Sequence, residues 1–166
     1  MTEAEKRIRR VCFTGHRPEK LNMSERAVKK ALRTEILSAI QDGMPIFISG
    51  MSRGVDIWAA EIVLELRKNN PDIKLICAIP FEGFEKFWSY DWKRKYLDIL
   101  TKADFITYIC KSYSNRAYQM RNQWMVDRAR RVIAVFNGEE SGTKNTVVYA
   151  EESGVEVRNI YRSSFF

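Results

Sequence analysis

The chain has 166 residues, of which 45% are hydrophobic and 30% charged, and its formal net charge is +7. This length predicts one domain over residues 1–166 with a core at about 11–160, and the composition excludes a disordered or membrane-spanning chain. The charged N-terminus lacks an apolar segment that would mark a secretory signal, so we expect a cytoplasmic protein, and basic residues interleaved with acids do not by themselves identify an anionic partner.

Strand-like and helix-like segments alternate along the first half of the chain. Apolar runs predict strands at 11–14, 46–49 and 74–79. A capping sequence at 22–25 followed by apolar residues at helical spacing predicts a helix that ends before Gly43. A second helix is predicted over 55–69, because Pro71 stops it.

The second half continues the alternation. The aromatic segment 84–100 predicts one or two short helices over a sheet edge, and strands follow at 105–110, 132–136 and 155–160. Helices are predicted at 118–130 and 146–153. The fold class is therefore α/β: a single Rossmann-like domain with a mainly parallel, doubly wound sheet and helices on both faces. The simplest strand order is 3-2-1-4-5-6.

Unusual polar residues follow four of the predicted strands. In an open parallel sheet, ligands bind beyond the carboxyl ends of the strands, where the strand order reverses. The candidate ligand-binding residues are Thr14, Gly15, His16, Arg17, Gly50, Arg53, Gly54, Asp56, Arg121, Asn122, Asp127, Gly142 and Thr143.

The segment from Gly50 to Asp56 is typical of a strand, a glycine turn and a helix start. Such a turn directs backbone N–H groups and the positive end of a helix dipole toward an anion. The two glycines, Gly50 and Gly54, are four residues apart, which is not the G-x-G-x-x-G spacing of dinucleotide folds. Asp56 either caps its own helix or contacts ribose hydroxyls.

Other chemistries find little support in the sequence. His16 is the only histidine, and the three cysteines are far apart, so we predict no metal site. No G-x-S-x-G elbow or G-x-x-x-x-G-K-[ST] loop occurs, which removes serine hydrolases and P-loop NTPases. No cofactor is established, and a nucleotide-type ligand is the favoured occupant. Arg17, Arg53 and Arg121 are candidates for phosphate contacts.

Three ordered motifs resemble a known family. They are Cys12-Phe-Thr-Gly-His-Arg-Pro-Glu-Lys-Leu21, Ser49-Gly-Met-Ser-Arg-Gly-Val-Asp-Ile-Trp-Ala-Ala-Glu61, and Arg121-Asn-x-x-Met125-Val-Asp127 with Ser141-Gly-Thr-x-x-Thr146. Together they are similar to the YpsA-like family of the SLOG superfamily, which also contains DprA and the LOG phosphoribohydrolases. The resemblance implies a Rossmann-like nucleotide-binding domain, a sensor or regulator linked to bacterial cell division or stress, and relatives that are often homodimers.

The resemblance also separates the alternative functions. LOG enzymes use an arginine and a glutamate to release a base, and this chain keeps the arginine as Arg121 but has Thr146 at the position of the glutamate. Binding of a nucleoside phosphate or an ADP-ribose-like molecule is therefore our first hypothesis. A phosphoribohydrolase-like N-glycosidase, with unidentified catalytic residues, and DprA-like binding of single-stranded nucleic acid remain the alternatives.

Overall fold

The computed structural model describes residues 1–162, so Ser163–Phe166, which the predicted domain includes, lie outside it. Its strands form one six-stranded parallel sheet: β1 Arg10–Gly15, β2 Ile46–Ser49, β3 Lys74–Phe81, β4 Phe105–Cys110, β5 Arg131–Val135 and β6 Glu156–Asn159. The α-helices are α1 Glu3–Arg7, α2 Glu25–Gln41, α3 Val55–Arg67, α4 Tyr90–Lys102, α5 Ala117–Asp127 and α6 Gly142–Glu152, and a 3₁₀ turn spans Pro18–Lys20.

Helices cover both faces of the sheet, which confirms the predicted Rossmann-like α/β class. On one face, α2, α3 and α4 bury residues such as Leu32, Ile57 and Tyr96 in one hydrophobic cluster. On the other face, α5 and α6 contribute Met125 and Ala150 to a second cluster. Every neighbouring pair of strands is parallel, as crossover helices require.

The predicted strand order 3-2-1-4-5-6 was wrong. The sheet has the order β4-β3-β2-β1-β5-β6, so the fourth strand extends the first half of the sheet beyond β3 and becomes its edge. The helix α5 then passes from β4 back across the sheet, where it packs against β3, β4 and β1, and the chain re-enters beside β1 as β5. The strand order therefore reverses between β1 and β5.

Some element boundaries also differ from the predictions. The aromatic segment forms one regular helix, α4, that begins only at Tyr90, and α6 begins four residues earlier than predicted because Ser141 caps it. Strand β3 continues through Pro80. The short α1, closed by a capping box at Thr2 and Glu5, was not predicted. Among residues 1–162, no helix combines the length and the apolar character that crossing a membrane requires.

Candidate functional site

A cavity of about 320 Å³ lies at the switch between β1 and β5. The end of β1, the loop before α3, the first turns of α5 and the start of α6 meet there. The predicted site residues that line it are Thr14, Gly15, His16, Arg17, Arg53, Asp56, Arg121, Asn122, Gly142 and Thr143. Sequence reasoning missed Lys20, Ser52, Tyr118 and Ser141, which also line it.

The loop between β2 and α3 is held by short polar bonds. The Ser49 hydroxyl donates to the Asp56 carbonyl at 2.9 Å and accepts the Met51 N–H at 3.1 Å. The Asp56 carboxylate accepts the Ser52 N–H at 3.2 Å. The first residues of α3 are thereby fixed to the loop that precedes them, with Ser52, Arg53 and Asp56 at the cavity wall.

The backbone conformation at position 54 explains why this loop ends in a glycine, Gly54. It has φ 91° at the N-cap of α3, in the left-handed region that side chains disfavour. A Cβ placed on it would lie 2.8 Å from Cδ of Pro18. Gly54 therefore does not line the cavity. It lets Pro18, in the 3₁₀ turn that follows β1, pack against the start of α3.

Arg121 stabilises the same loop from α5. Its side chain is 4% exposed, and its guanidinium donates to the Gly50 carbonyl, to Ser52 Oγ at 3.3 Å and to Asn122 Oδ1 at 2.7 Å. A Cβ on Gly50 would lie 2.8 Å from Arg121 Cζ, so the guanidinium needs a glycine there. Arg121 thus links α5 to the loop before α3, with its charge beneath the cavity.

Asp56 is a buried carboxylate beside that charge. Burial raises the pKa of Asp56 to about 6, although Arg121 and the Ser52 N–H lower it in part. Its side chain is oriented toward the loop and the cavity rather than only capping the helix. At neutral pH it is an anion that titrates close to the physiological range.

His16 connects β1 to the loop after β5. It is buried, and its Nε2 accepts the Asn137 N–H at 3.1 Å, so the neutral ring carries its proton on Nδ1. Burial lowers the pKa of His16. The histidine is therefore an uncharged hydrogen-bonding residue that joins the two strands flanking the switch point.

The start of α6 presents free backbone donors to the cavity. The Ser141 hydroxyl caps the helix by accepting the Lys144 N–H at 3.1 Å. The N–H groups of Gly142 and Thr143 meet no acceptor among the residues that the structure describes. Two unpaired donors and the positive end of the helix dipole thus lie at the cavity edge.

The charge of the cavity is positive. Arg17 and Lys20 are exposed at its rim, and Arg53 forms an ion pair with Glu19 at 3.5 Å. These three cations and Arg121 line the cavity, and Asp56 is the one carboxylate that lines it within residues 1–162. The arrangement suits a small anion with a hydroxyl-bearing group attached.

One predicted site residue lies apart from the others. Asp127 ends α5, six residues beyond Arg121 and hence about 9 Å further along the helix. It is exposed and accepts the Tyr149 hydroxyl at 2.6 Å. Because α5 runs from the carboxyl end of β4 toward the amino end of β5, its last residue is carried away from the cavity.

Two grooves adjoin the cavity and share Tyr118 with it. A groove of about 620 Å³ between α5 and α6 is rich in carboxamides, including Gln119, Asn122 and Asn145. A second groove of about 640 Å³ is aromatic, and we name it the aromatic groove; it is lined by Phe81, Phe84, Phe87, Tyr113 and Tyr118 with Lys86 and Lys111. Within residues 1–162, no group of His, Cys, Asp or Glu is arranged to hold a metal ion.

Comparisons with known proteins agree with this architecture. The sequence model of the YspA SLOG family matches residues 11–164. A UPF0398 protein of Bacillus thuringiensis (strain Al Hakam) is 31% identical over 163 residues, which cover 93% of this chain and 88% of the relative.

Solved structures show the same fold. DNA processing protein A (DprA) from Streptococcus pneumoniae superposes with a TM-score of 0.68 at 21% identity, over 95% of this chain and 52% of that protein. DprA from Helicobacter pylori superposes with a TM-score of 0.65 at 15% identity, over 97% of this chain and 70% of that protein. This chain thus spans about half the length of the Streptococcus protein.

Proposed function

This chain belongs to the YspA SLOG family, and we propose that it binds a nucleotide or nucleotide-derived ligand in the cavity between β1 and β5. The ligand class is a nucleoside phosphate or an ADP-ribose-like molecule, and the protein acts as a sensor or regulator. The observation that carries the proposal is the pair of unpaired N–H groups at Gly142 and Thr143, which lie in a cavity rimmed by Arg17, Lys20 and Arg53.

In the proposed complex, the phosphate accepts hydrogen bonds from the start of α6 and from the rim cations. Asp56 then lies where a carboxylate accepts ribose hydroxyls, because it is buried in the same wall. Arg121 holds the loop before α3 in place and does not need to touch the ligand. The adjoining carboxamide groove offers donors and acceptors to a base or a second sugar.

Thermal-shift and calorimetric titration with a nucleotide panel that includes ADP-ribose tests this proposal. A ligand at 100 times its dissociation constant stabilises the fold by about 2.7 kcal/mol. Arg53→Ala should weaken binding. Arg33→Ala is the matched control, because Arg33 also pairs with a surface glutamate, Glu65, but lies outside the cavity. A panel that never moves the unfolding midpoint would count against nucleotide binding.

Hydrolysis of the glycosidic bond is tested on the same samples. The hydroxyl of Thr146, at the position of the LOG glutamate, donates to the Gly142 carbonyl at 2.9 Å and supplies no carboxylate. Asp56 is then the residue left to stabilise an oxocarbenium-like centre. Release of free base from nucleoside monophosphates, lost in Asp56→Asn, would show an enzyme, whereas binding without product supports a sensor.

The aromatic groove favours a second candidate, single-stranded nucleic acid. Phe87 is 92% exposed at its rim, and Lys86 lies 5.6 Å from the centroid of its ring. Aromatic faces beside cations stack bases and contact phosphates. The Helicobacter pylori DprA structure is described as showing a single-stranded DNA binding mode.

Salt dependence separates the two candidates. An oligonucleotide held by phosphate contacts loses affinity linearly on a log-log plot against salt, and Phe87→Ala removes a stacking contact worth about 1 to 3 kcal/mol. Leu37→Ala, which removes another exposed apolar side chain that lines neither groove, serves as the control. If the affinity for the oligonucleotide changes neither with salt concentration nor in Phe87→Ala, single-stranded nucleic-acid binding at this groove is contradicted.

A further inference from the structure

The outer edge of β4 is an uncharged, exposed row of apolar residues. The strand from Phe105 to Cys110 contains no charged residue and no proline. Phe105 is 69% exposed, Tyr108 47% and Ile106 41%. β4 pairs with β3 on one side, and no strand within residues 1–162 pairs with it on the other. Natural edge strands usually carry charges or prolines that prevent pairing with another chain.

The opposite edge of the same sheet has that protection. β6 contains Glu156 and Arg158, which pair with each other at 2.7 Å. Arg158 also reaches Glu35 at 3.3 Å, and Glu156 reaches Arg131 at 3.2 Å. Charged side chains therefore disfavour pairing of another strand with β6, whereas β4 carries no such protection.

The backbone of β4 defines which residues present free hydrogen-bonding groups. The Lys74 N–H donates to the Pro45 carbonyl at 3.1 Å, so Lys74 faces β2 and the next residue, Leu75, faces β4. Because Ile76 is aligned with Phe105, the backbone groups of Phe105, Thr107 and Ile109 bond to β3. Backbone groups alternate from side to side along a strand, so Ile106, Tyr108 and Cys110 face the open edge and form a ready template for a further strand.

We propose that the partner at this edge is a second copy of the chain, paired antiparallel about a two-fold axis at Thr107. A two-fold axis normal to the sheet passes through one residue of the strand and keeps each side chain on its own face of the sheet. The numbers of two residues that face each other across the axis therefore add to twice the number of the central residue. Centring on Thr107 places Phe105 opposite Ile109 and Ile106 opposite Tyr108. Aromatic side chains then face β-branched ones, and Thr107 faces itself, which are favourable cross-strand pairs.

The charges that flank the strand favour the same arrangement. Asp104 precedes β4 and Lys111 follows it. In an antiparallel pair the two Lys111 side chains lie at opposite ends, whereas parallel pairing would bring them together. The Asp104 carboxylate is already bound within its own chain, to Arg67 at 2.8 Å and to the Leu75 N–H at 2.8 Å. Centring on Tyr108 instead would place Phe105 opposite Lys111. In the Thr107 register, Ile106 of each copy lies opposite Tyr108 of the other, and these two hydrogen-bonded pairs join the sheets through about four backbone hydrogen bonds.

Sedimentation equilibrium of the intact chain tests the proposal. The wild type should show twice the chain mass of 19.5 kDa, and Thr107→Lys should restore the single mass because two ammonium groups would meet at the axis. Phe105→Lys gives a second disruption at a more exposed site, and Leu37→Lys, on another exposed apolar residue of α2, should remain dimeric. A monomeric wild type, or a Thr107→Lys variant that stays dimeric, would overturn the proposal.

Disulfide trapping tests the register directly. In a Cys110→Ser background, Thr107→Cys should form a cross-linked dimer under mild oxidation, because Cα atoms of a non-hydrogen-bonded antiparallel pair lie about 4.5 Å apart, a distance that a disulfide can span. Val157→Cys in the same background, on β6, should not cross-link. Cross-linking at β6 but not at β4 would refute the edge assignment. Neither outcome depends on nucleotide binding, so this inference stands apart from the proposed function.

Discussion

Replacing Arg121 by Met tests the central electrostatic feature of the site. The change removes the guanidinium that donates to the Gly50 carbonyl, Ser52 Oγ and Asn122 Oδ1, and it leaves Asp56 buried without its neighbouring positive charge. Burial of an unpaired carboxylate is costly, so Asp56 should take up a proton in the variant. The destabilisation should therefore depend on pH.

The magnitude follows from the pKa of Asp56. An acid whose pKa is raised by folding destabilises the folded protein as the pH rises above the ordinary pKa of that acid, which is 3.8 for Asp56. With a folded pKa of about 6, the wild type loses about 3 kcal/mol from this group at about pH 7.5. A variant in which Asp56 never ionises loses about 5 kcal/mol there, whereas at about pH 5 both proteins lose about 2 kcal/mol.

Urea unfolding at the two pH values measures the difference. The lost hydrogen bonds of the guanidinium should cost about 3 kcal/mol at both pH values, and the Asp56 contribution adds about 2 kcal/mol only at the higher one. Arg130→Met, at an exposed arginine beyond α5, is the control and should change little.

A double variant completes the experiment. In Asp56→Asn/Arg121→Met, the pH-dependent part should disappear, because the titrating carboxyl group is gone. His16 titrates in both proteins and cancels in the comparison. A loss of stability for Arg121→Met that is equal at both pH values, or larger at the lower one, would refute the electrostatic coupling of Arg121 and Asp56.

Two further predictions concern the loops around the cavity. Gly54→Ala should lower the free energy of unfolding by more than Gly43→Ala in urea titrations, because both residues have positive φ but only Gly54 meets Pro18. The NMR signal of His16, the one histidine in the sequence, should titrate with a midpoint below 6.5, since burial disfavours its protonated form. Acidification should then weaken its bond to Asn137, and a midpoint above 6.5 would contradict this.

The fold could be predicted from the sequence because its signals are local. Apolar runs bounded by Gly and Pro located the strands, and the helical spacing of Val28, Leu32 and Ile36 located α2, whose buried face these residues form. The strand order could not be predicted in the same way. Whether β4 pairs with β3 or with β1 depends on where α5 packs, and that is a contact between distant parts of the chain.

For the candidate site too, some features could be predicted from local sequence and others required contacts between distant residues. The sequence indicated the loops that meet at the carboxyl ends of the strands, since each follows a strand directly. Their roles required the tertiary structure: Gly50 makes room for Arg121, and Gly54 makes room for Pro18. Asp127, close to Arg121 in sequence, lies away from the cavity because a helix carries it there. Lys20 and Ser52 lie within the motifs that indicated the site, but the sequence does not show which side chains of a loop face the cavity.

Local sequence patterns specify the alternation of strands and helices, the parallel sheet and the rim on which polar loops gather, because hydrophobic period and turn residues act over a few positions. Contacts between distant parts of the chain specify which of those polar residues face the cavity, which support its wall, and which edge of the sheet stays open. Burial, the raised pKa of Asp56 and the exposed row on β4 all arise from neighbours that are remote in the chain.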